Sequence, residues 1–317
     1  MPLAIQADDV RAAAVRIRPL ARRTPVLTSA VFDAEAGLRV FFKCENLQRG
    51  GAFKIRGASN LILSLAPADL ARGIVAYSSG NHAQAVAIAA RHVGAQAHIV
   101  MPADAPRSKM EATRSQGPRI VTYDRLTENR ESIAAAILQE TGGTLVPPFD
   151  HPLIMAGQGT AALELLDETG PLDALITPVG GGGLLSGCAT IARAIDPAIR
   201  LFGAEPAGAN DAFLSLAAGV RVEVPHPDTI ADGLRTPCVG ELTFPVIREL
   251  VESVLLVTDA EIREAVKYLL AHLNILVEAS GAVPAAALLF HKLPAEIRTV
   301  GVVLSGGNID LEELAGY

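Results

Sequence analysis

The 317-residue sequence contains no tryptophan, and aromatic residues make up only 4% of it. A core without large rings must be filled by aliphatic side chains, as in parallel sheets covered by helices. Cysteine is almost missing too: Cys44, Cys188 and Cys238 are far apart and odd in number. That excludes a disulfide framework and a zinc motif, and it fits reduced thiols in the cytoplasm. Apolar runs are short and broken by charge, glycine or proline. None approaches the roughly 20 residues that would span a bilayer, so no membrane association is expected. Met1 to Asp9 lacks a basic stretch leading into an apolar one, so no secretory signal is expected. With a net charge of −7 and dispersed lysines and arginines, no basic face for nucleic acid is expected either.

Half of the residues are hydrophobic, enough for a large core in two domains, or in one domain with a lobe. Short apolar runs at Val40–Cys44, Gly73–Ser78, Ala97–Met101, Arg119–Tyr123, Ala174–Val179, Arg200–Ala204, Ser253–Val257 and Thr299–Leu304 read as strands. Helical patterns at Ala83–Val93, Glu131–Glu140, Leu184–Ile195 and Glu261–Leu273 lie between them. The alternation predicts an α/β fold with mainly parallel sheets. Pro67, Pro102, Pro106, Pro171 and Pro197 are placed between elements, as breakers. Boundaries near Pro67–Gly73 and at Pro147-Pro148 bracket a block of about 75 residues, long enough for a small domain of its own. The expected division is 1–72 with 150–317 as the large domain and 73–149 as the small one.

Five segments offer chemistry. In the first, Lys43-Cys44-Glu45-Asn46 leads through Gly50-Gly51-Ala52-Phe53 to Lys54 at the start of a helix. Burial and the helix dipole would both lower that amine's pKa, which a nucleophilic lysine needs. Read alone, the loop is equally a helix cap with a solvated lysine. In the second, Ser78-Ser79-Gly80-Asn81-His82 opens a helix and suits an anion such as a substrate carboxylate. An ordinary N-cap is the plain alternative.

The third segment is Gly180-Gly181-Gly182-Gly183, followed by Leu184, between a strand and a helix. Four glycines offer backbone N–H groups with no Cβ in the way, a cradle for phosphate. Glu205 follows about 20 residues later, where a dinucleotide fold places its ribose-binding acid, so an NAD-dependent oxidoreductase competes. The glycines do not fit G-x-G-x-x-G, and the loop has no P-loop lysine. In the fourth segment, Glu205 and Asp211 flank a turn and could face one hard cation, Mg²⁺ or Ca²⁺; a loop with an N-cap is the alternative. In the fifth, Ser305-Gly306-Gly307-Asn308 ends a strand, where α/β sheets bind ligands. Ser305 could hydrogen-bond a ring nitrogen there, or the segment is simply a turn.

The ordered series Ala52–Ala58, Ser78–His82, Ala156-Gly157-Gln158-Gly159-Thr160, Gly180–Gly183 and Ser305–Asn308 resembles the serine/threonine dehydratase and serine racemase family. These enzymes use pyridoxal 5′-phosphate (PLP) on fold type II, the tryptophan-synthase β-subunit fold. The resemblance runs from about Pro25 to Asp310. It implies that Lys54 holds PLP as a Schiff base, with Phe53 packed on the pyridine ring and Asn81 at the ring hydroxyl. Gly180, Gly181, Gly182, Gly183 and Leu184 would hold the phosphate, and Ser305 would face the pyridine nitrogen. Ser78, Ser79, Asn81 and His82 would take the substrate carboxylate. Glu205, the carbonyl of Ala209, and Asp211 would bind a divalent cation, Mg²⁺, Mn²⁺ or Ca²⁺. A homodimer is implied as well. The sequence departs from the family's usual Ser-Phe-Lys at Ala52, and from its Glu-Pro at Glu278-Ala279.

The same resemblance implies β-elimination from L-serine, L-threonine or 3-hydroxyaspartate to a 2-oxo acid and ammonia. Ser79 matches the serine racemase and 3-hydroxyaspartate branch. A hydroxyl on the face opposite Lys54 would allow racemisation as a side activity or as the main one. Arg130 resembles an arginine near the active-site mouth, where it could bind a second carboxylate; an exposed helix arginine is the plain alternative. A PLP-binding protein without turnover is the non-enzymatic alternative.

Overall fold

A computed structural model describes residues 3–78 and 80–317. Its strands are β1 (Val26–Leu27), β2 (Arg39–Cys44), β3 (Ile74–Tyr77), β4 (Ala97–Pro102), β5 (Arg119–Tyr123), β6 (Thr144–Leu145), β7 (Ala174–Pro178), β8 (Arg200–Pro206), β9 (Ser253–Val257) and β10 (Thr299–Leu304). They form two sheets, ordered β1-β2-β10-β7-β8-β9 and β5-β4-β3-β6. Every pairing is parallel except β1 with β2. The fold is therefore α/β with mainly parallel sheets.

The six-stranded sheet is covered on both faces. Val40, Phe42 and Cys44 of β2, with Val300, Val302 and Leu304 of β10, share one aliphatic cluster with helices Ala30–Ala36, Asp259–Leu273 and Ala279–Leu289. Val303 of β10 faces the other way, into a cluster with helices Ala7–Arg16, Pro152–Thr169, Gly183–Ile195 and Thr243–Leu250. This alternation is the period of two that a strand imposes. Helix Pro152–Thr169 crosses Gly183–Ile195 so closely that a Cβ on Gly187 would lie 2.1 Å from the Met155 carbonyl oxygen. Leucine, valine and alanine dominate both cores, as the missing aromatics required.

The four-stranded sheet takes all its strands from residues 74–145. Ile74, Ala76, Ile99 and Met101 face helices Lys54–Ile62 and Asn81–His92; Val75 and Val100 face helix Arg130–Thr141. Helix Lys54–Ile62 packs on Asn81–His92 and also on Pro152–Thr169. It therefore lies between the two sheets.

Two placements of proline need correction. Pro67 is the first residue of a helix, Pro67–Arg72, where its missing N–H costs nothing, and Pro102 is the last residue of β4. The three cysteines are free. Among the described residues no helix is long and apolar enough to cross a membrane.

Candidate active site

The site lies where β2, β7 and β10 end. After Cys44 the chain makes two short 3₁₀ turns; Gly50 and Gly51 adopt left-handed backbone, with φ of 76° and 71°. Lys54 then begins its helix. The loop is laced to the one after β10: Ala52 bridges Gly306, the Phe53 N–H donates to the Ser305 carbonyl at 3.0 Å, and the Gly307 N–H donates to the Gly51 carbonyl at 2.9 Å. Two segments at opposite ends of the sequence thus become one surface, with Ser305 buried beside Phe53 and Lys54.

Lys54 Nζ donates to the Pro148 carbonyl at 2.8 Å and lies 5.1 Å from the centre of the Phe53 ring. Among the described residues the amine has no carboxylate partner to offset its burial, which lowers its pKa from 10.5 to about 8. A lysine held in this way is far richer in nucleophilic free amine than a solvated one.

Tyr77 ends β3, and Asn81 starts the next helix. Ser79 lies outside the described residues. Asn81 Nδ2 donates to Glu278 Oε1 at 2.6 Å, and Asn81 Oδ1 accepts from Asn308 Nδ2 at 2.8 Å. Burial pushes the Glu278 carboxyl up to about 8. His82 is buried, with Nε2 2.9 Å from the Val146 carbonyl. A carbonyl only accepts, so Nε2 carries the proton and Nδ1 keeps a lone pair; that Nδ1 is buried without a partner among the described residues. Burial, and then the nearby Lys54, lower the ring's pKa to about 3, so it stays neutral. Its one ring N–H is committed to Val146. What His82 could still offer an anion is its backbone N–H at the helix start.

Pro178 ends β7, and the helix begins at Gly183. Among the described residues, the N–H groups of Gly180, Gly181 and Gly182 meet no protein acceptor. Those of Gly183 and Leu184 are first-turn donors with no partner inside the helix. A Cβ on Gly181 would lie 2.3 Å from the Phe149 ring, so only glycine fits there. A run of free donors at a helix N-terminus fits a phosphate. A buried lysine, this cradle and a neutral hydroxyl at Ser305 together fit PLP.

Glu205 accepts from the N–H groups of Ala212 and Phe213 at 3.1 and 3.0 Å, while both Asp211 carboxyl oxygens are buried without a partner. Burial and mutual repulsion raise the pKa of Glu205, and burial raises that of Asp211. Ala209 is fully buried nearby. Among the described residues no three His, Cys, Asp or Glu side chains converge on one point, so a cation here would need backbone oxygen as well. Both Glu205 oxygens are thus taken up by the start of the helix that Asp211 opens.

Arg130 begins helix Arg130–Thr141, pairs with Glu131 at 2.8 Å and stacks 5.3 Å from the centre of the Tyr77 ring. It is exposed and close in sequence terms to nothing catalytic, but Tyr77 leads directly into Ser78.

Residues 17–306 match the family model described as "Pyridoxal-phosphate dependent enzyme". The chain belongs to this family. It is 48% identical over 307 residues to the L-threo-3-hydroxyaspartate ammonia-lyase of a Pseudomonas species, covering 97% of this chain and 96% of that one. It is 45% identical over 310 residues to the serine racemase of Schizosaccharomyces pombe, with 98% and 96% covered. The solved structure of maize serine racemase superposes with a TM-score of 0.96 at 45% identity, over 99% of this chain and 96% of that one. Fold type II and a PLP-dependent enzyme follow for this chain.

Several contacts carry no sequence signal. The Pro148 carbonyl touches the lysine, and the Phe149 ring and Thr243 touch the glycine loop, only through tertiary packing; the Asp150 carboxylate meets the Glu241–Thr243 turn in the same way. Glu278, noted in the sequence only for its departure from the family's Glu-Pro, also stands out as a lone acid before the mostly apolar helix Ala279–Leu289.

Proposed function

We propose that the protein removes the β-hydroxyl and amino groups of a small β-hydroxy amino acid, L-serine, L-threonine or 3-hydroxyaspartate, giving a 2-oxo acid and ammonia. The observation that carries this reading is the buried Lys54 amine, lowered to about 8, in one wall with the paired Ser305 loop and opposite a glycine loop of free N–H groups. Relatives named as an ammonia-lyase for L-threo-3-hydroxyaspartate and as serine racemases support the substrate class.

Bound PLP supplies an electron sink for charge developing at the substrate's Cα. Lys54 Nζ takes the Cα proton and would pass it to the departing hydroxyl, which leaves as water. The hydroxyls of Ser78 and Ser79 and the first-turn N–H groups of Asn81 and His82 hold the substrate carboxylate, while the Ser78 N–H is spent on the Val100 carbonyl; the N–H groups of Gly180 to Leu184 hold phosphate. Asn81, fixed by Glu278 and Asn308, presents its amide to the ring hydroxyl. Phe53 packs against the ring. Ser305 would offer a neutral hydroxyl, not a carboxylate, to the ring nitrogen.

Racemisation is the second reading, carried by the Ser78-Ser79-Gly80 sequence and by the racemases among the relatives. In it, Ser79 works as acid or base on the face opposite Lys54. Arg130 takes the second carboxylate of 3-hydroxyaspartate once the small domain, 73–149, closes on the large one, 1–72 with 150–317. Glu205, Asp211 and the Ala209 carbonyl hold Mg²⁺, Mn²⁺ or Ca²⁺; two buried acids of raised pKa, with both Asp211 oxygens orphaned, favour this. The working form is a cytoplasmic homodimer.

The test is 2-oxo acid release from serine, threonine and 3-hydroxyaspartate, using both enantiomers and both β-diastereomers. Release from at least one is expected. No release from any, in yellow protein that exchanges no Cα proton, contradicts the reading.

A further inference from the structure

The five residues Val146–Asp150 cross from the end of β6 to helix Pro152–Thr169, and each end of this strap grips a different part of the site. The Val146 carbonyl accepts from His82, and the Pro148 carbonyl accepts from Lys54. The Phe149 ring fills the space against Gly181. The Asp150 carboxylate accepts three backbone N–H groups: Glu241 at 2.9 Å, Leu242 at 2.9 Å and Thr243 at 3.2 Å.

That turn in turn grips the glycine loop. Thr243 Oγ1 donates to the Gly181 carbonyl at 2.7 Å, and the Gly240 N–H donates to the same oxygen at 3.2 Å. A peptide unit is planar and trans, so its N–H points opposite to its C=O. Two donors pinning the Gly181 carbonyl therefore fix the direction of the Gly182 N–H, away from Thr243, where among the described residues it meets no protein acceptor. Four consecutive glycines have no side chains to hold that orientation themselves, and a loop of this kind loses much backbone freedom on ordering.

We propose that Asp150 is the positioning residue that keeps the anion-facing N–H groups of the glycine loop in register with Lys54. It acts through the Glu241–Thr243 turn and the Gly181 carbonyl. The assignment rests on the reading that Lys54 and the glycine loop hold PLP. Asp150 does not touch the phosphate: a carboxylate would repel it, and both Asp150 oxygens are turned to the three N–H groups at the start of helix Thr243–Leu250, where negative charge is favoured. Pro148 and Asp150 belong to the same short strap, so the lysine and the phosphate cradle share one reference frame.

The test is a comparison of PLP with pyridoxal, which has the aldehyde but no phosphate, on cofactor-free protein, read by imine absorbance. In Asp150→Ala, PLP affinity falls about fivefold, the effect of losing a helix cap, while pyridoxal affinity is unchanged. Inorganic phosphate, which raises the melting temperature of the cofactor-free wild type, raises that of the variant less at equal concentration. Asp150→Asn, whose amide oxygen can still accept from Leu242 and Thr243, falls between. If Asp150→Ala does not fold, Asp150→Asn and Thr243→Val carry the same comparison. Equal losses for PLP and pyridoxal, or no loss for either, overturn the assignment. A wild-type protein that forms no imine with PLP removes instead the reading beneath it.

Discussion

Arg56 donates two parallel hydrogen bonds to Glu45, from Nε and one Nη at 2.8 Å each, with both side chains shut off from solvent. The same guanidinium makes a second fork to Glu164, at 2.8 and 2.7 Å, and Lys43 Nζ joins Glu164 at 2.7 Å. Two cations and two anions cancel beneath the helix that begins at Lys54. Burial opposes the charge on Arg56, yet the two carboxylates raise its pKa overall.

Breaking this cluster from one side should be costly, because the remaining charge stays buried. Arg56→Ala is expected to destabilise the protein by about 3–5 kcal/mol. Arg56→Lys should recover little of this, since an ammonium cannot make two planar forks. Urea denaturation checks both; a loss below about 1 kcal/mol, the range of an exposed ion pair, would contradict the role given to the cluster.

Lys54 predicts the opposite sign. Its folded pKa is lowered from 10.5 to about 8, so the unfolded chain binds more protons than the folded one between those values, and stability rises with pH across that window. Below about pH 8 the full penalty is present. Cofactor-free Lys54→Met should therefore be more stable than wild type at pH 7, by up to about 3 kcal/mol, and the gain should shrink toward pH 10.5. Melting temperatures of the cofactor-free proteins at pH 7 and pH 10 decide this; a variant less stable at pH 7 would contradict it.

Cation removal should be felt at Glu205 and Asp211. EDTA is expected to lower the melting temperature by about 5 °C, with recovery in excess Mg²⁺, Mn²⁺ or Ca²⁺. In Glu205→Gln the response to cation should fall to near zero. A wild type indifferent to both chelator and cation would leave the two acids without that role.

Ser79→Ala separates the two activities proposed for the site. Elimination should continue within about threefold of wild type, while racemisation falls by about two orders of magnitude, the size of losing one acid–base group. Enantiomer analysis alongside 2-oxo acid release measures both; parallel loss would deny Ser79 a separate role.

Much of this was legible in the sequence because it is local. Arg119–Tyr123, Ser253–Val257 and Thr299–Leu304 appear as strands with the boundaries that hydrophobic runs predict, and the glycine run announces a close backbone approach. The two-residue strands Val26–Leu27 and Thr144–Leu145 are too short to leave a periodic pattern. Pro67 was misplaced because the same fixed φ that breaks a helix also starts one. Contacts from the Pro148 carbonyl, Phe149 and Asp150 were hidden, since a backbone oxygen has no residue identity and a packed ring shows only in three dimensions. His82 was legible as a position, but the commitment of its Nε2 proton to Val146 depends on a segment 64 positions away.

The most direct measurement concerns Lys54 itself. Borohydride reduction of the purified yellow protein, followed by digestion and mass spectrometry, should find the pyridoxyl group on the peptide carrying Ala52-Phe53-Lys54, and no fixed label in Lys54→Ala. A label on another lysine, or a colourless protein that takes up no PLP, would contradict the account.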